Sequence, residues 1–153
     1  MGIFTYEYEV ITEIPPAKMF KACILDGENL IPKVVPDKSI DYIEGNGEPG
    51  SIKKITFEEA NHYMVEKVEA SDKDELVYSY SVIEGSVFMN KLEKITYETK
   101  LEPSSAGRSI SKISYKYYTI GDFGITEGLK AGKEKALQIL KVVDAYVLAN
   151  PRH

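Results

Sequence analysis

The sequence predicts an α+β domain in which one long C-terminal helix lies against a curved antiparallel sheet. Seven segments alternate apolar and polar residues, as half-buried strands do, and most of them are joined by short turn sequences. Residues 127–150 instead carry apolar side chains at three- and four-residue steps, which predicts an amphipathic helix. Because such a helix must bury its apolar face, we expect it to pack on the sheet. The 153 residues are predicted to form a single ligand-binding domain, 1–153.

Strands are predicted wherever alternation is bounded by turn residues such as Gly, Pro, Asn and Asp. Consecutive hairpin connections make the sheet antiparallel, and the natural twist of strands makes it curved. The predicted strands are residues 4–14, 40–44, 51–57, 63–70, 75–84, 91–101 and 109–119.

Two short helices are predicted between the first strand and the second. Pro16 suits the first turn of a helix that continues to about Ile24. A second helical piece begins at Asp26 and is bounded by Pro32 and Pro36, because proline interrupts helical hydrogen bonding. Two such helices in succession can pack beneath the long helix.

The inward faces of the strands are rich in tyrosine, of which the chain has 11, with no tryptophan. A buried tyrosine needs a partner for its hydroxyl, whereas a solid core favours Leu, Val and Ile. Lys53 and Glu66 also lie in inward phase, so the pattern allows either a cavity with polar groups or a solid core with tyrosines at its rim. The predicted inward sets are Phe4, Tyr6, Tyr8 and Val10; Leu76, Tyr78, Tyr80 and Val82; Ile95, Tyr97, Thr99 and Leu101; and Ser111, Ile113, Tyr115 and Tyr117.

Composition excludes several classes of function. The net charge of −5 argues against a nucleic-acid surface, and no apolar run is long enough to cross a membrane. Two histidines and one cysteine give no zinc-binding cluster. Cys23 permits no internal disulfide, which suits a reducing cytosol, and the N-terminus has no signal-peptide pattern.

The segment from Gly45 to Gly50 matches the G-x-G-x-x-G pattern of phosphate-binding loops. A dinucleotide site requires a helix directly after this motif, but a strand pattern follows here, and Glu48 places a negative charge where a phosphate would lie. Asp122-Phe123-Gly124 matches a kinase motif without the other kinase motifs around it. We interpret both matches as coincidence.

Five stretches together resemble one protein family. They are MGIFTYEYE at the start, DGENLIPK from Asp26, EGNGEPGSIKKI from Glu44, YSYSVIEG from Tyr78 and LKAGKEKA from Leu129. The chain resembles the plant pathogenesis-related proteins of class ten, the family of the major birch pollen allergen, over its whole length. It departs from them at Glu48, where the family usually has Gly, and in slightly shortened segments that border the cavity entrances in the family.

The resemblance implies the helix-grip fold, in which a seven-stranded sheet encloses a large cavity under the long helix and two short helices form a V. It further implies a cytoplasmic, defence-related carrier or buffer that binds flavonoids, cytokinins or other hydrophobic or amphiphilic molecules. We expect no cofactor, metal, nucleic-acid partner or membrane partner, and a monomer. The expected ligand-binding residues are Lys53, Phe57, Glu66, Tyr80, Val82, Ile95, Tyr97, Ile113, Tyr115, Ala136, Ile139 and Leu140, beside a glycine-rich loop of Gly45, Gly47 and Gly50.

The resemblance to this family also implies alternative functions. A ribonuclease would use the residues that match those implicated in the family, Lys53, Glu93, Asp144 and Tyr146, with Asp144 in place of the usual Glu. A hormone receptor that inhibits a phosphatase would need a ligand-gated apolar loop at a cavity mouth. The motif of the norcoclaurine synthases cannot be placed on this chain. Catalysis is therefore left open but disfavoured.

Overall fold

The described part of the chain contains a seven-stranded antiparallel sheet, as predicted. In the computed structural model, residues 2–35, 38–58, 61–88, 91–120 and 126–150 are described, without the side chains of 87, 126–133 and 135–136. The strand order is β1-β7-β6-β5-β4-β3-β2, so each hairpin along the chain is also a neighbouring pair in the sheet. The strands are β1 (Gly2–Thr12), β2 (Lys38–Glu44), β3 (Ile52–Phe57), β4 (His62–Asp72), β5 (Val77–Gly85), β6 (Leu92–Pro103) and β7 (Ser109–Thr119).

The ends of β1 differ from the prediction. The strand stops at Thr12 and does not reach Ile14, because the backbone N–H of Glu13 donates to Oδ1 of Asp144 at 3.1 Å. At the other end, Phe4 is 42% exposed although its alternation predicts an inward position. It lies near the start of an edge strand, which has a single neighbour, β7, among the described strands.

The helices are α1 (Pro16–Phe20), which continues into a π-helical turn at Lys21–Leu25, α2 (Gly27–Val34) and α3 (Thr126–Ala149). Pro32 does not bound the second helix, contrary to the prediction, because α2 continues through it to Val34. A proline removes one helical hydrogen bond, and the burial of Leu30 and Ile31 on the same short helix offsets that loss.

The core lies where the two short helices meet the long one. Met19, Leu30 and Val143 are fully buried there, and Phe20 and Val147 are only 1% exposed. Close packing of these side chains holds the short helices against α3. Within the described residues, no helix is long and apolar enough to span a bilayer.

Candidate ligand-binding site

A cavity lies between the inner face of the sheet and the helices. Its volume is about 170 Å³, and its walls come from α1, the π-helical turn, α2, α3 and every strand except β1. An engineered cavity of roughly 150 Å³ holds benzene, whereas sites for drug-sized ligands measure roughly 300–1,000 Å³. This space therefore fits one aromatic ring, and a larger ligand would require wall side chains to move.

Four tyrosines on four neighbouring strands form a row across the sheet. The register pairs Tyr80 of β5 with Tyr97 of β6, Tyr97 with Tyr115 of β7, and Tyr115 with Tyr6 of β1. Ring centroids lie 4.6 Å apart for Tyr80 and Tyr97 and 4.9 Å apart for Tyr97 and Tyr115. Aromatic pairs at such distances contribute about 0.5–1.5 kcal/mol each beyond area burial. Three members of this row, Tyr80, Tyr97 and Tyr115, make one wall of the cavity aromatic, whereas Tyr6 is not among the described residues that line it.

Burial keeps these phenols in their neutral form. It raises the pKa of Tyr80 and Tyr115 well above the ordinary value, and it also raises the pKa of Tyr97. Loss of hydration disfavours the charged phenolate, and the neighbouring phenols and the Glu66 carboxylate oppose a further negative charge. At physiological pH the wall therefore presents hydroxyls that can both donate and accept hydrogen bonds.

One ion pair lies within the cavity wall. Lys53 of β3 and Glu66 of β4 are directly opposite each other in the register, and Nζ lies 3.8 Å from Oε1. Their side chains are only 13% and 5% exposed, and the lysine Nζ also lies 5.2 Å from the ring centroid of Tyr78. Burial raises the pKa of Glu66, and the charges of Lys53 and Lys38 oppose that rise. The pair supplies one donor and one acceptor group to a largely apolar space.

The glycine-rich loop is a strand connection. Gly45, Gly47 and Gly50 have φ angles of +75°, +113° and +94°, and β3 rather than a helix follows them. The N–H of Asn46 donates to Oε2 of Glu48 at 3.0 Å, so the loop's own carboxylate takes up a donor that a phosphate would need. The loop therefore lacks the helix N-terminus of a dinucleotide site. The match to a kinase motif, Asp122-Phe123-Gly124, lies outside the described part of the chain.

Known proteins share this architecture and sequence. The model of the Pathogenesis-related protein Bet v 1 family matches residues 1–150. The major strawberry allergen Fra a 1.05 of Fragaria ananassa is 52% identical over 156 aligned positions, which cover 99% of this chain and 98% of the allergen. The chain belongs to the Bet v 1 family.

Solved structures agree with this Bet v 1 assignment. Ara h 8.0201 superposes with a TM-score of 0.87 at 38% identity, over 97% of this chain and 99% of that one. The norcoclaurine synthase of Thalictrum flavum, solved with dopamine and hydroxybenzaldehyde, superposes with a TM-score of 0.78 at 18% identity, over 97% and 88% of the two chains. At that identity the second likeness shows the fold alone. The predicted family is confirmed, and so is the fold class of a seven-stranded curved antiparallel sheet with a long C-terminal helix. The cavity, at about 170 Å³, is smaller than the large cavity that the resemblance implies.

Most of the residues predicted to bind ligand lie in the cavity wall of this Bet v 1 family chain. Phe57 and Val82 are buried and Ile95 is half-buried, but none of the three is among the described wall residues. Ala136 lies where the side chains are not described. The predicted residues that line the cavity are Lys53, Glu66, Tyr80, Tyr97, Ile113, Tyr115, Ile139 and Leu140.

The sequence analysis missed the wall that the short helices provide. Met19, Cys23 and Ile31 line the cavity, as does Lys38 at the start of β2. The spacing of Met19 and Cys23, four residues apart on one helical face, is a signal that could have placed them inward. Burial raises the pKa of the Cys23 thiol to about 12, so it stays protonated and unreactive at neutral pH.

The residues matched to the ribonuclease reading are dispersed in this Bet v 1 fold. Lys53 faces the cavity on β3, while Glu93 is exposed on β6, three strand spacings away, or about 14 Å. Asp144 accepts the N–H of Glu13 at 3.1 Å, and Tyr146 packs against the core. Strand position and exposure thus separate the lysine from the glutamate that a shared active site would need.

Proposed function

We propose that this protein binds hydrophobic or amphiphilic small molecules in its cavity and acts as an intracellular carrier or buffer for them. The observation that carries the proposal is the cavity wall, in which tyrosine and aliphatic side chains surround the buried Lys53–Glu66 pair. Buried charges are costly unless they are well paired. A protein that binds no ligand would therefore gain little stability from placing this ion pair beside a cavity. The membership in the Bet v 1 family supports the same function.

The size of the cavity sets the expected strength of binding. A single ring that buries about 200 Å² of apolar surface gains about 5 kcal/mol, whereas association costs at least about 4 kcal/mol. One-ring compounds should therefore bind weakly. Flavonoids, cytokinins and other hormones bury more area, and they gain affinity if wall side chains move to admit them. Such moderate affinity suits a carrier or buffer that must also release its ligand.

The ion pair is expected to orient the ligand. The Glu66 carboxylate accepts a hydrogen bond, for instance from a phenolic hydroxyl, and the Lys53 ammonium donates one. A ligand with a donor and an acceptor at one end can therefore insert that end between the two charges. The tyrosine row then packs against its flat aromatic part, as aromatic side chains do in small-molecule sites.

Displacement of a fluorophore tests the proposal. Anilinonaphthalene sulfonate should show saturable fluorescence with the folded protein, and a flavonoid or a cytokinin should displace it. Lys53→Met should change the order in which these competitors bind. Lys54→Met is the matched control, because Lys54 is adjacent in β3 but exposed. Absence of saturable binding, or equal behaviour of the two variants toward every competitor, would contradict the proposed site.

A further inference from the structure

One buried hydroxyl in the cavity wall lacks a hydrogen-bond partner. Thr99 of β6 lines the cavity and is only 3% exposed. Its Oγ1 is buried and forms no hydrogen bond with any described residue. Because nearly all buried polar groups in folded proteins are paired, an unpaired hydroxyl beside an open space requires an explanation. A ligand in the cavity that supplies the missing partner is one explanation that the position of Thr99 allows.

The side chains around Thr99 are largely apolar. Leu101 follows it by two residues on the same face of β6, and the register places Ile113 of β7 directly opposite Thr99. Both of these residues line the cavity, as does Met19 of α1. A hydroxyl among apolar side chains has lost its hydrogen bonds to water, so this position favours a bound molecule that restores them.

The hydroxyl of Tyr97 lies close to this position. Tyr97 is two residues earlier on the same strand face, and the Thr99 hydroxyl opposes the rise in the Tyr97 pKa that burial causes. The two side chains therefore interact, but Oγ1 of Thr99 is without a hydrogen bond of ordinary geometry. Since burial keeps the Tyr97 phenol protonated, it can donate as well as accept. A ligand oxygen between the two hydroxyls can accept a hydrogen bond from one and donate to the other.

The Thr99 side chain can turn its hydroxyl towards a ligand by rotation about a single bond. The staggered positions about Cα–Cβ are roughly 120° apart. No hydrogen bond to a described residue holds the hydroxyl in its present rotamer. Binding of a ligand therefore does not have to break an existing hydrogen bond of this group.

The position of Thr99 is distinct from that of the Lys53–Glu66 ion pair. Glu66 lies on β4 and Thr99 on β6, so β5 separates them and their backbones are at least about 10 Å apart. The wall therefore has two separate polar positions, and a ligand with polar groups at two ends can use both.

We propose that Thr99 is a second polar anchor in this cavity, which favours aromatic ligands with a hydroxyl on the ring that packs against Tyr97. The inference rests on the proposed function, because it names the class of ligand that the same cavity prefers. Phenolic compounds should bind in preference to apolar compounds of the same shape, since only a polar ligand pairs the Thr99 hydroxyl.

Phenol and toluene test this preference, because they differ only in a hydroxyl and a methyl group on one ring, and a cavity of this size admits a single ring. Binding is measured by titration of the backbone amide resonances of residues 97–101. Thr99→Val replaces the hydroxyl with a methyl group and should lower the ratio of phenol affinity to toluene affinity about five-fold. Thr99→Ser keeps a hydroxyl and should retain the ratio of the wild type.

Thr12→Val is the matched control. Thr12 of β1 is similarly buried, at 2% exposed, but its Oγ1 lies 2.7 Å from Oγ of Ser109, and it is not among the described residues that line the cavity. Thr12→Val should therefore lower the free energy of unfolding in urea and leave the affinity ratio unchanged. Thr99→Val should not lower the free energy of unfolding, because no hydrogen bond is lost.

An unchanged affinity ratio in Thr99→Val would overturn the inference, and saturable binding of both compounds would then leave the proposed function intact. A loss of stability as large as that of Thr12→Val would also overturn it, because the hydroxyl would then be bonded within the protein. Absence of saturable binding by phenol, toluene and the fluorophore would overturn the proposed function and this inference with it.

Discussion

The ammonium nitrogen of Lys53 lies 3.8 Å from Oε1 of Glu66, across the β3–β4 pair and within the cavity wall. This distance allows a strong electrostatic interaction but is longer than the 2.7–3.2 Å of a typical N–H···O hydrogen bond. The difference is roughly half an ångström, which a reorientation of either side chain can close. The two groups thus attract each other and still retain capacity for a ligand. Loss of either partner leaves a buried charge without its counterpart, which is strongly unfavourable.

Lys53→Met should make stability more sensitive to pH. Burial already raises the pKa of Glu66 above its usual 4.5, and removal of the opposing lysine charge raises it further. A carboxyl whose pKa is raised in the folded state binds more protons there than in the unfolded chain. Its stabilising contribution is therefore complete below about pH 4.5 and is lost as pH rises through the folded pKa. Urea unfolding at mildly acidic and neutral pH should show the larger decline in the variant.

The double variant Lys53→Met, Glu66→Gln provides the control for this prediction. The amide cannot ionise, so the additional pH dependence should disappear. Lys54→Met should behave as the wild type, since that lysine is exposed. The assignment of the effect to Glu66 would be wrong if the double variant kept the steep decline of Lys53→Met.

Alternation along the strands was sufficient to predict most of the sheet, because strand side chains alternate strictly between two faces. The bounds of β7 agree with the prediction, and the inward phase of Lys53 and Glu66 is observed as a direct cross-strand pair. Alternation cannot give the register between strands, so the row from Tyr80 to Tyr115 could not be predicted from it.

The short helices were predicted less well, for a physical reason. Proline disfavours a helix locally, but tertiary burial of Leu30 and Ile31 retains Pro32 inside α2. The contribution of Met19 and Cys23 to the cavity depends on how α1 packs beneath α3, which is a long-range relationship. The pattern of a single sequence shows which face of a helix or strand is buried, but not which other element packs against that face.

Alkaline pH should destabilise the protein through its buried tyrosines. Burial raises the pKa of Tyr117 to about 12, and it raises the pKa of Tyr78 further. Because these values exceed the value near 10 of an exposed phenol, the contribution of these residues is complete below about pH 10 and is lost as pH rises above it. Ultraviolet absorbance of tyrosinate should therefore show a late class of phenols that ionises together with the loss of the folded circular dichroism. A single transition near pH 10 that leaves the fold intact would contradict this burial.

Two glycines of one loop offer a matched pair of substitutions. Gly45 and Gly50 both have positive φ angles, of +75° and +94°, so alanine is strained at either position by about 1–2 kcal/mol. A methyl group at Gly45 would also overlap the side chain of Ser51, whereas at Gly50 no atom lies within 4 Å of it. Gly45→Ala should therefore lower the free energy of unfolding clearly more than Gly50→Ala does, as chemical denaturation would measure. Equal losses would indicate that the loop relaxes around the new methyl group.

We predict that this chain has no ribonuclease turnover of its own. Lys53 and Glu93 lie three strand spacings apart, Asp144 holds the backbone of Glu13, and an acidic chain does not attract a polyanion. Wild type and the triple variant Lys53→Ala, Glu93→Ala, Tyr146→Phe, purified identically, should show the same trace cleavage per mole of protein. Each preparation must first give the circular dichroism spectrum of a folded chain, so that loss of structure is not mistaken for loss of chemistry. An activity that persists in the wild type through every purification step and vanishes in the folded triple variant would identify these residues as an active site with a charged group in general acid–base catalysis.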